Sequence, residues 1–450
     1  MQREKSALFT HLVEKTPPQL EHPTSKKFDG AAWLSVYSSF NQQNTADSNL
    51  LLASIYFGNE ICSLREHQFE RALSGLSNVD AIRLAVAASN RTRAHLGGHF
   101  DSQMKSQFGP DDPVHVNALA DLTVPTAFSN STPDGVLTAI IDSLPHWFAL
   151  AAERFMEEPR RQTEQNVDFR RTHAHSTMVL TLERSLRDLW QQTLWEPWAL
   201  NVANRHFEPI DKASYIQWAA WQARQQALLE QAMLFDSLLG AHKDDDVIVN
   251  PKSITSASFK AGRYKTVLSA PGRNQRKYQS ALMDMFENSY LGFCLDENVP
   301  NQPYSVRMLI RVWIFLGSLA RSLLNAASPW EIEARHDIKR LALELPSTRV
   351  VSEVSKGLEI DVSLAEQIVS TFIIDPTDVS SAFRFGAWHR PLVKHPIEDR
   401  VMVNAAALLS ANPIYLLERI FKASGLQKSL EKRSLGVAYE ANLRSSIADA

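Results

Sequence analysis

Apolar residues recur along this chain at helical spacing, and that period constrains its fold more than any other feature. Val179, Leu182, Leu186 and Leu189 fall three and four residues apart, and Ile216, Ala220, Ala223 and Ala227 repeat the stripe. Such intervals bring side chains to one face of a 3.6-residue helix. Strict apolar–polar alternation, the mark of a half-buried strand, is scarce, and only 16 glycines occur in 450 residues. The chain is therefore predicted to be mainly α: multi-helical, in two helical halves, with a small β-hairpin near residues 389–403.

Start and stop signals agree with that period. Ser77 and Asp80 form an S-x-x-D box, and Gly97 is the expected stop of the helix that follows. Ser328-Pro329-Trp330-Glu331 joins a capping box to a proline at the first helical position, with Pro346 as the expected end. Ser363 and Glu366 repeat the box, and Asn412-Pro413 opens a helix that Gly425 closes. In each case the cap satisfies a backbone N–H that has no partner inside the helix. The runs from His389 to His395 and from Arg400 to Val403 are short and partly β-branched, and the residues from Pro396 to Asp399 read as a turn. Pro391 predicts that the first of these strands is an edge strand.

The expected organisation is a polar segment over 1–30, a helical domain over 31–240, a basic linker over 241–280, and a helical domain with the hairpin over 281–450. Pro110, Pro113, Pro125 and Pro133 mark a long connection within 100–135. No repeat of fixed period is present. The hydrophobic fraction of 44% is enough for sizeable cores, and the net charge of -3 points to no partner by itself. Two distant cysteines, Cys62 and Cys294, and a charged amino terminus without an apolar core imply cytoplasmic residence. The most apolar segment, 306–327, holds Arg307, Arg311 and Arg321 and reads as a buried helix, so no membrane partner is expected.

The common catalytic constellations are missing. There is no P-loop, no G-x-G-x-x-G after a strand, no G-x-S-x-G elbow, no H-E-x-x-H and no paired C-x-x-C. The sequence therefore assigns no catalytic residue, metal ligand or cofactor. His95 and His99 stand i, i+4, but Gly97 and Gly98 between them place His95 in a last helical turn. His173 and His175 would face different sides of a helix. Asp244, Asp245 and Asp246 read as a solvated linker. Trp190, Trp195, Trp198, Trp218 and Trp221 read as helix-packing residues.

One positive signal remains. From Val247 to Met283 there is no Asp or Glu, while Lys252, Lys260, Arg263, Lys265, Arg273, Arg276 and Lys277 supply seven cations. Phe259, Tyr264 and Tyr278 are interleaved, and Gly262 and Gly272 allow close backbone approach. Cations without anions neutralise phosphates, and aromatics stack on bases. Lys252, Lys260, Arg263, Tyr264, Lys265, Arg273, Arg276 and Lys277 are therefore the candidate nucleic-acid-binding residues. The competing reading is a solvated loop that offsets Asp244 to Asp246.

The tail runs from Trp388 through Arg390-Pro391-Leu392-Val393, a second strand and Ala411-Asn412-Pro413 to Gly436-Val437-Ala438-Tyr439-Glu440. This order resembles the junction in large bacterial proteins where a helical region leads into a restriction-endonuclease-like domain of the PD-(D/E)XK type. In that family the G-x-x-[FY]-E helix opens the catalytic domain, and its Glu stands near the metal site; only Glu440 matches by position. The strands that carry the catalytic Asp and [DE]-x-K have no counterpart, and Glu353-Val354-Ser355-Lys356 has the wrong spacing. That chemistry needs two metal ligands and a lysine, so the chain as written is expected not to cut DNA.

Three function classes follow. The favoured one is a non-catalytic helical binding or regulatory module that engages nucleic acid, a partner protein or a separate nuclease domain. The second is a metal-dependent hydrolase or nuclease with a dispersed or truncated site. The third is a protein–protein interaction scaffold.

Overall fold

In this computed structural model the described residues are 28–39, 45–108, scattered positions between 140 and 190, 198–201, 206–209, 249–287, 291–329, 331, 337–378, 387–411, and 416, 417, 420 and 426. The fold is mainly α with small β-sheets. Its residues gather into two compact units, Met1–Ser74 with His175–Leu229, and Gly75–Ala174 with Glu230–Ala450. This division differs from the expected one. Residues 31–240 are shared between the units, and the described part of 241–280 is built into the second.

The first unit contains α1 (Gly30–Ser39), α2 (Thr45–Ser63), a π-turned stretch (Leu64–Phe69) and α3 (Glu70–Leu73). Asp29 caps α1, its Oδ1 accepting from Ala31 N at 2.9 Å and Ala32 N at 3.2 Å. Trp33, Leu51, Ala53, Phe57 and Trp190 make the core, with Phe28 and Leu186 packed against it. The Trp190 indole donates to Ser54 Oγ at 3.2 Å. An antiparallel strand pair, β1 (Trp198–Asn201) with β2 (His206–Pro209), falls where only helix was expected. Trp195, Trp218 and Trp221 lie outside the described residues, as do His173 and Asp244 to Asp246.

The second unit begins with α4 (Asn78–Phe108). Ser77 caps it as expected, its Oγ accepting from Asp80 N at 3.1 Å. The other half of the box is made by a different residue: Ser77 N donates to Thr163 Oγ1 at 3.0 Å, while Asp80 engages Arg83. The helix does not stop at Gly97. An interior glycine costs only about 1 kcal/mol relative to alanine, which a long helix absorbs. His95 and His99 are thus mid-helix in backbone, and their side chains lie outside the described residues.

Next come β3 (Ser253–Lys260), β4 (Arg263–Ser269), α5 (Arg273–Glu287) and α6 (Val306–Ala327). By length and composition α6 could cross a membrane, but 72% of its most apolar window is buried inside the protein. Ser328 closes α6 in a left-handed conformation instead of opening a helix, with φ 46°. The short α7 (Ile338–Leu341) is capped by Asp337, and Pro346 ends a strand, β5 (Glu344–Pro346), and leads into α8 (Ser347–Leu358). Proline suits that place because its missing N–H would have had no helical partner. Then follow α9 (Val362–Thr371), β6 (Ile373–Ile374), β7 (Leu392–Lys394), β8 (Arg400–Val403) and α10 (Ala405–Ser410). Leu416, Leu417, Ile420 and Leu426 are helical and buried, whereas Asn412, Pro413 and Gly425 lie outside the described residues.

The hairpin near 389–403 forms as β7 against β8, with Val393 opposite Met402. It is not an edge hairpin. The sheet order is β5-β8-β7-β6, so β7 is interior, parallel to β6 on one side and antiparallel to β8 on the other. Pro391 stands one residue before the strand, where its missing N–H removes no ladder bond, and its carbonyl accepts from Asn404 N at 2.8 Å. Asn90 of α4 fastens helix to sheet: its Nδ2 donates to Leu341 O at 2.8 Å and to Val403 O at 2.9 Å.

Candidate nucleic-acid interface

The stretch expected as a basic linker is a two-stranded antiparallel ribbon in its central part. Residues 261 and 262 connect β3 to β4, and both have positive φ, 50° at Ala261 and 71° at Gly262. That pair is the signature of a type I′ turn, whose twist matches the flanking strands. Gly262 therefore serves the turn geometry. Pairing runs Lys260 with Arg263, Phe259 with Tyr264, Ser258 with Lys265, Ala257 with Thr266 and Ser256 with Val267. Directly paired residues share a face, so the ribbon has one face with Lys260, Arg263, Lys265, Ser256, Ser258 and Val267, and another with Phe259, Tyr264, Ala257 and Thr266.

Burial separates the two faces. Lys260, Arg263, Lys265, Ser256 and Val267 are exposed, while Tyr264 is buried. A bulge between Ile254 and Ser256 changes the register by one residue and turns Ile254 inward, where it is fully buried. The Tyr264 hydroxyl donates to Arg340 O, and burial pushes its pKa well above the ordinary value. Phe259 packs on Tyr264 with ring centroids 4.8 Å apart, and the Arg340 guanidinium lies 5.4 Å from the Phe259 ring centre. Arg349 of α8 donates to Tyr264 O at 2.9 Å, to Thr266 Oγ1 at 2.5 Å and to Glu353 Oε1 at 2.9 Å. Thr266 in turn donates to the Glu353 carboxylate.

These contacts change the list of candidate binding residues. Tyr264 is an anchor of the ribbon and is not available to stack on a base. Tyr278 is likewise buried, with the Arg321 guanidinium 4.2 Å above its ring. Lys252 is exposed but stands 3.4 Å from the Glu359 carboxylate. On α5, Arg273 is exposed and Arg276 and Lys277 are half-buried, and no acidic residue occupies the first turn. The structure thus brings Lys260, Arg263 and Lys265 together on one outer face and leaves the other cations on separate elements. The ribbon itself was missed, although period-two alternation through 256–268 and a glycine at the turn were signals for it.

A second cluster of titratable groups lies in the same unit. Arg83 donates to both oxygens of Glu344, with Nη2 to Oε2 at 3.2 Å, and its Nη1 donates to Asp80 Oδ1 at 3.0 Å. His395 Nε2 is 3.2 Å from Arg83 Nη2, and His395 Nδ1 accepts from Ile397 N at 3.2 Å and Glu398 N at 2.9 Å. Both ring nitrogens thus face N–H donors, which disfavours the doubly protonated ring. Burial lowers the His395 pKa below its ordinary 6.5, with Arg83 adding to the effect against the opposing pull of Glu344. The cluster is a strut that ties α4 to β5 and to the β7–β8 turn. Among the described residues, no group of three or more His, Cys, Asp or Glu side chains is placed to hold a metal ion.

No protein-family model matches the chain, and no curated protein or solved structure matches it either. The class that fold and surface define is a mainly α protein bearing an exposed, two-stranded basic ribbon.

Proposed function

We propose that the chain is a non-catalytic, two-part helical binding module that grips nucleic acid on the outer face of the β3–β4 ribbon. The observation that carries this reading is the sorting of side chains across the ribbon: Lys260, Arg263 and Lys265 face solvent, while Tyr264 is buried and Phe259 packs half-buried against it on the other face. Lysine and arginine on such a face neutralise phosphates, and the hydroxyls of Ser256 and Ser258 are further donors to phosphate oxygens. A two-stranded ribbon also has dimensions that the major groove of a duplex admits. Seven residues of strand extend the face over roughly 23 Å.

The placement of the aromatics bears on the kind of binding. With Tyr264 and Phe259 both on the opposite face, the cationic face offers no ring to a base, so contact there is to the backbone and sequence preference is weak. Cys62 and Cys294 are not joined in a disulfide, which supports the reading of a reducing compartment. The likeness of the tail around Gly436 to Glu440 to a nuclease junction supports a role beside a nuclease domain. The test is fluorescence anisotropy with a labelled DNA duplex, its single strand and the matching RNA. Binding lost in the Lys260→Ala/Arg263→Ala/Lys265→Ala variant, with its circular dichroism unchanged, supports the proposal. Undiminished binding by that variant, or no binding by the parent chain at low salt, rejects it.

A further inference from the structure

We infer that the ligand of the β3–β4 ribbon is double-stranded DNA in the B form, entered through its major groove; the inference rests on the reading of the outer ribbon face as a phosphate-binding surface. Cations stand on both strands of that face, Lys260 on β3 and Arg263 and Lys265 on β4. None of these side chains is held in an ion pair among the described residues. Glu353, which meets the ribbon through Thr266, lies on the inner side and is engaged by Arg349. Away from the turn the face is low, with Ser258 opposite Lys265 and Ser256 opposite Val267. Short side chains let the ribbon approach the floor of a groove while long cationic ones reach the phosphates of its walls. Two strands about 4.8 Å apart make a ribbon roughly 10 Å across. The major groove of B-form DNA, about 12 Å wide, admits it, whereas the minor groove is only about 6 Å wide. Val267 is 53% exposed on the same face, and the apolar group that a duplex offers it is the thymine methyl, which stands in the major groove.

Other nucleic acids fit the face less well. The major groove of A-form RNA is deep and narrow and closed to side chains. Single strands are gripped by stacking their bases on aromatic rings, and Phe259 and Tyr264 both lie on the opposite face. The ribbon is also presented and held in a way that suits a groove. A Cβ added at Gly262 would meet no atom within 4 Å, so the turn stands in open space. The base is fastened to two helices: Gln275 Nε2 of α5 and Ser322 Oγ of α6 both donate to Ile254 O, at 3.1 Å and 3.2 Å. Thr255 Oγ1 and Ser269 Oγ are hydrogen-bonded across the strands at 2.9 Å. With the inner face locked through Tyr264 and Arg349, the ribbon is shaped before any ligand arrives, and little ordering opposes binding.

The test is fluorescence anisotropy at low salt with the full chain and labelled probes of one sequence. These are a DNA duplex, its single strand, the RNA duplex, the DNA duplex with a bulky group on C5 of its pyrimidines, and the DNA duplex with that group on N2 of its guanines. The C5 groups fill the major groove and the N2 groups the minor one. The plain DNA duplex is predicted to bind about tenfold or more tightly than the single strand or the RNA duplex. The C5 groups weaken binding by about tenfold or more, and the N2 groups leave it within about twofold. Affinity for the RNA duplex or the single strand equal to that for the DNA duplex overturns the groove assignment, as does binding that the C5 groups leave unchanged. The reading beneath it is judged separately with Lys260→Ala/Arg263→Ala/Lys265→Ala. If that variant loses every probe that the parent chain binds, the ribbon face is the binding surface whichever probe is preferred. If the variant binds as the parent does, or the parent binds none of the probes, the reading and the groove assignment fall together.

Discussion

Replacing Arg83 with methionine tests whether the Arg83–Glu344–Asp80 strut holds α4 to the sheet. The Arg83 side chain is 13% exposed and that of Glu344 9%. The substitution leaves a buried carboxylate without its two-pronged partner. Breaking such a pair from one side costs about 3–5 kcal/mol, because the surviving charge stays desolvated. Glu344 keeps a weaker neighbour, with Arg400 Nε at 3.5 Å, so the lower end applies, about 3 kcal/mol. The chain has two compact units, so a global melt would mix their transitions. Amide hydrogen exchange with peptide resolution reads the second unit alone. At about 1.4 kcal/mol per tenfold, peptides covering β8 and α10 are predicted to exchange roughly 100-fold faster in Arg83→Met. Adding Glu344→Gln removes the stranded charge and recovers a substantial part. An acceleration below about fivefold, or a double variant no better than the single one, refutes the reasoning.

Three other outcomes are expected. In Gly357→Ala the new Cβ would stand 2.2 Å from the Phe315 ring, so α8 must move off α6, at a cost of about 1–3 kcal/mol measurable as faster exchange in both helices. Ala261→Asn makes an Asn-Gly type I′ turn, relieves an alanine at φ 50°, and is predicted to slow ribbon exchange by about 0.5–1 kcal/mol. His395 has a folded pKa below 6.5, so the unfolded chain binds its proton first. Its stabilising contribution is therefore complete above pH 6.5 and falls as pH drops from there through the lowered value. Over that window His395→Gln is predicted to flatten the pH dependence of second-unit stability by up to about 1.4 kcal/mol per pH unit. An unchanged slope would count against the assignment of a neutral ring.

Much of the helical framework was readable because caps and periodicity are local. Ser77 marks the start of α4, whereas the box expected at Ser363 and Glu366 does not form: Asp361 is the N-cap residue of α9 and no side chain caps that helix. Where the reading failed, tertiary contacts outweighed a local signal. Ser328 and Glu331 fit a capping box, yet Ser328 terminates α6, because Asp337 caps the next short helix instead. Gly97 suggested a stop, but helix propensity is a weak term beside packing. Pro391 suggested an edge strand, and a one-residue offset outside the ladder left β7 free to pair on both sides.

The basic stretch was legible as charge but not as shape. Composition located Lys260, Arg263 and Lys265 without showing that strand pairing places them together. Tyr264 was misread for the same reason. An aromatic between cations looks like a base-stacking residue until pairing with Phe259 shows that it belongs to the inner face. The Arg83 strut was invisible, since Glu344 and His395 lie 261 and 312 residues from Arg83 and no short motif joins them.

The central claim is that the outer ribbon face binds phosphates through Lys260, Arg263 and Lys265, and the salt dependence of duplex affinity tests it most directly. Three neutralised phosphates give a slope of log affinity against log salt of about −2.7, so binding weakens roughly 40-fold between 50 and 200 mM salt. The account predicts that slope for the parent chain and a loss of about 0.9 for each cation replaced by alanine. A slope near zero, or one that stays the same when all three are replaced, would contradict it.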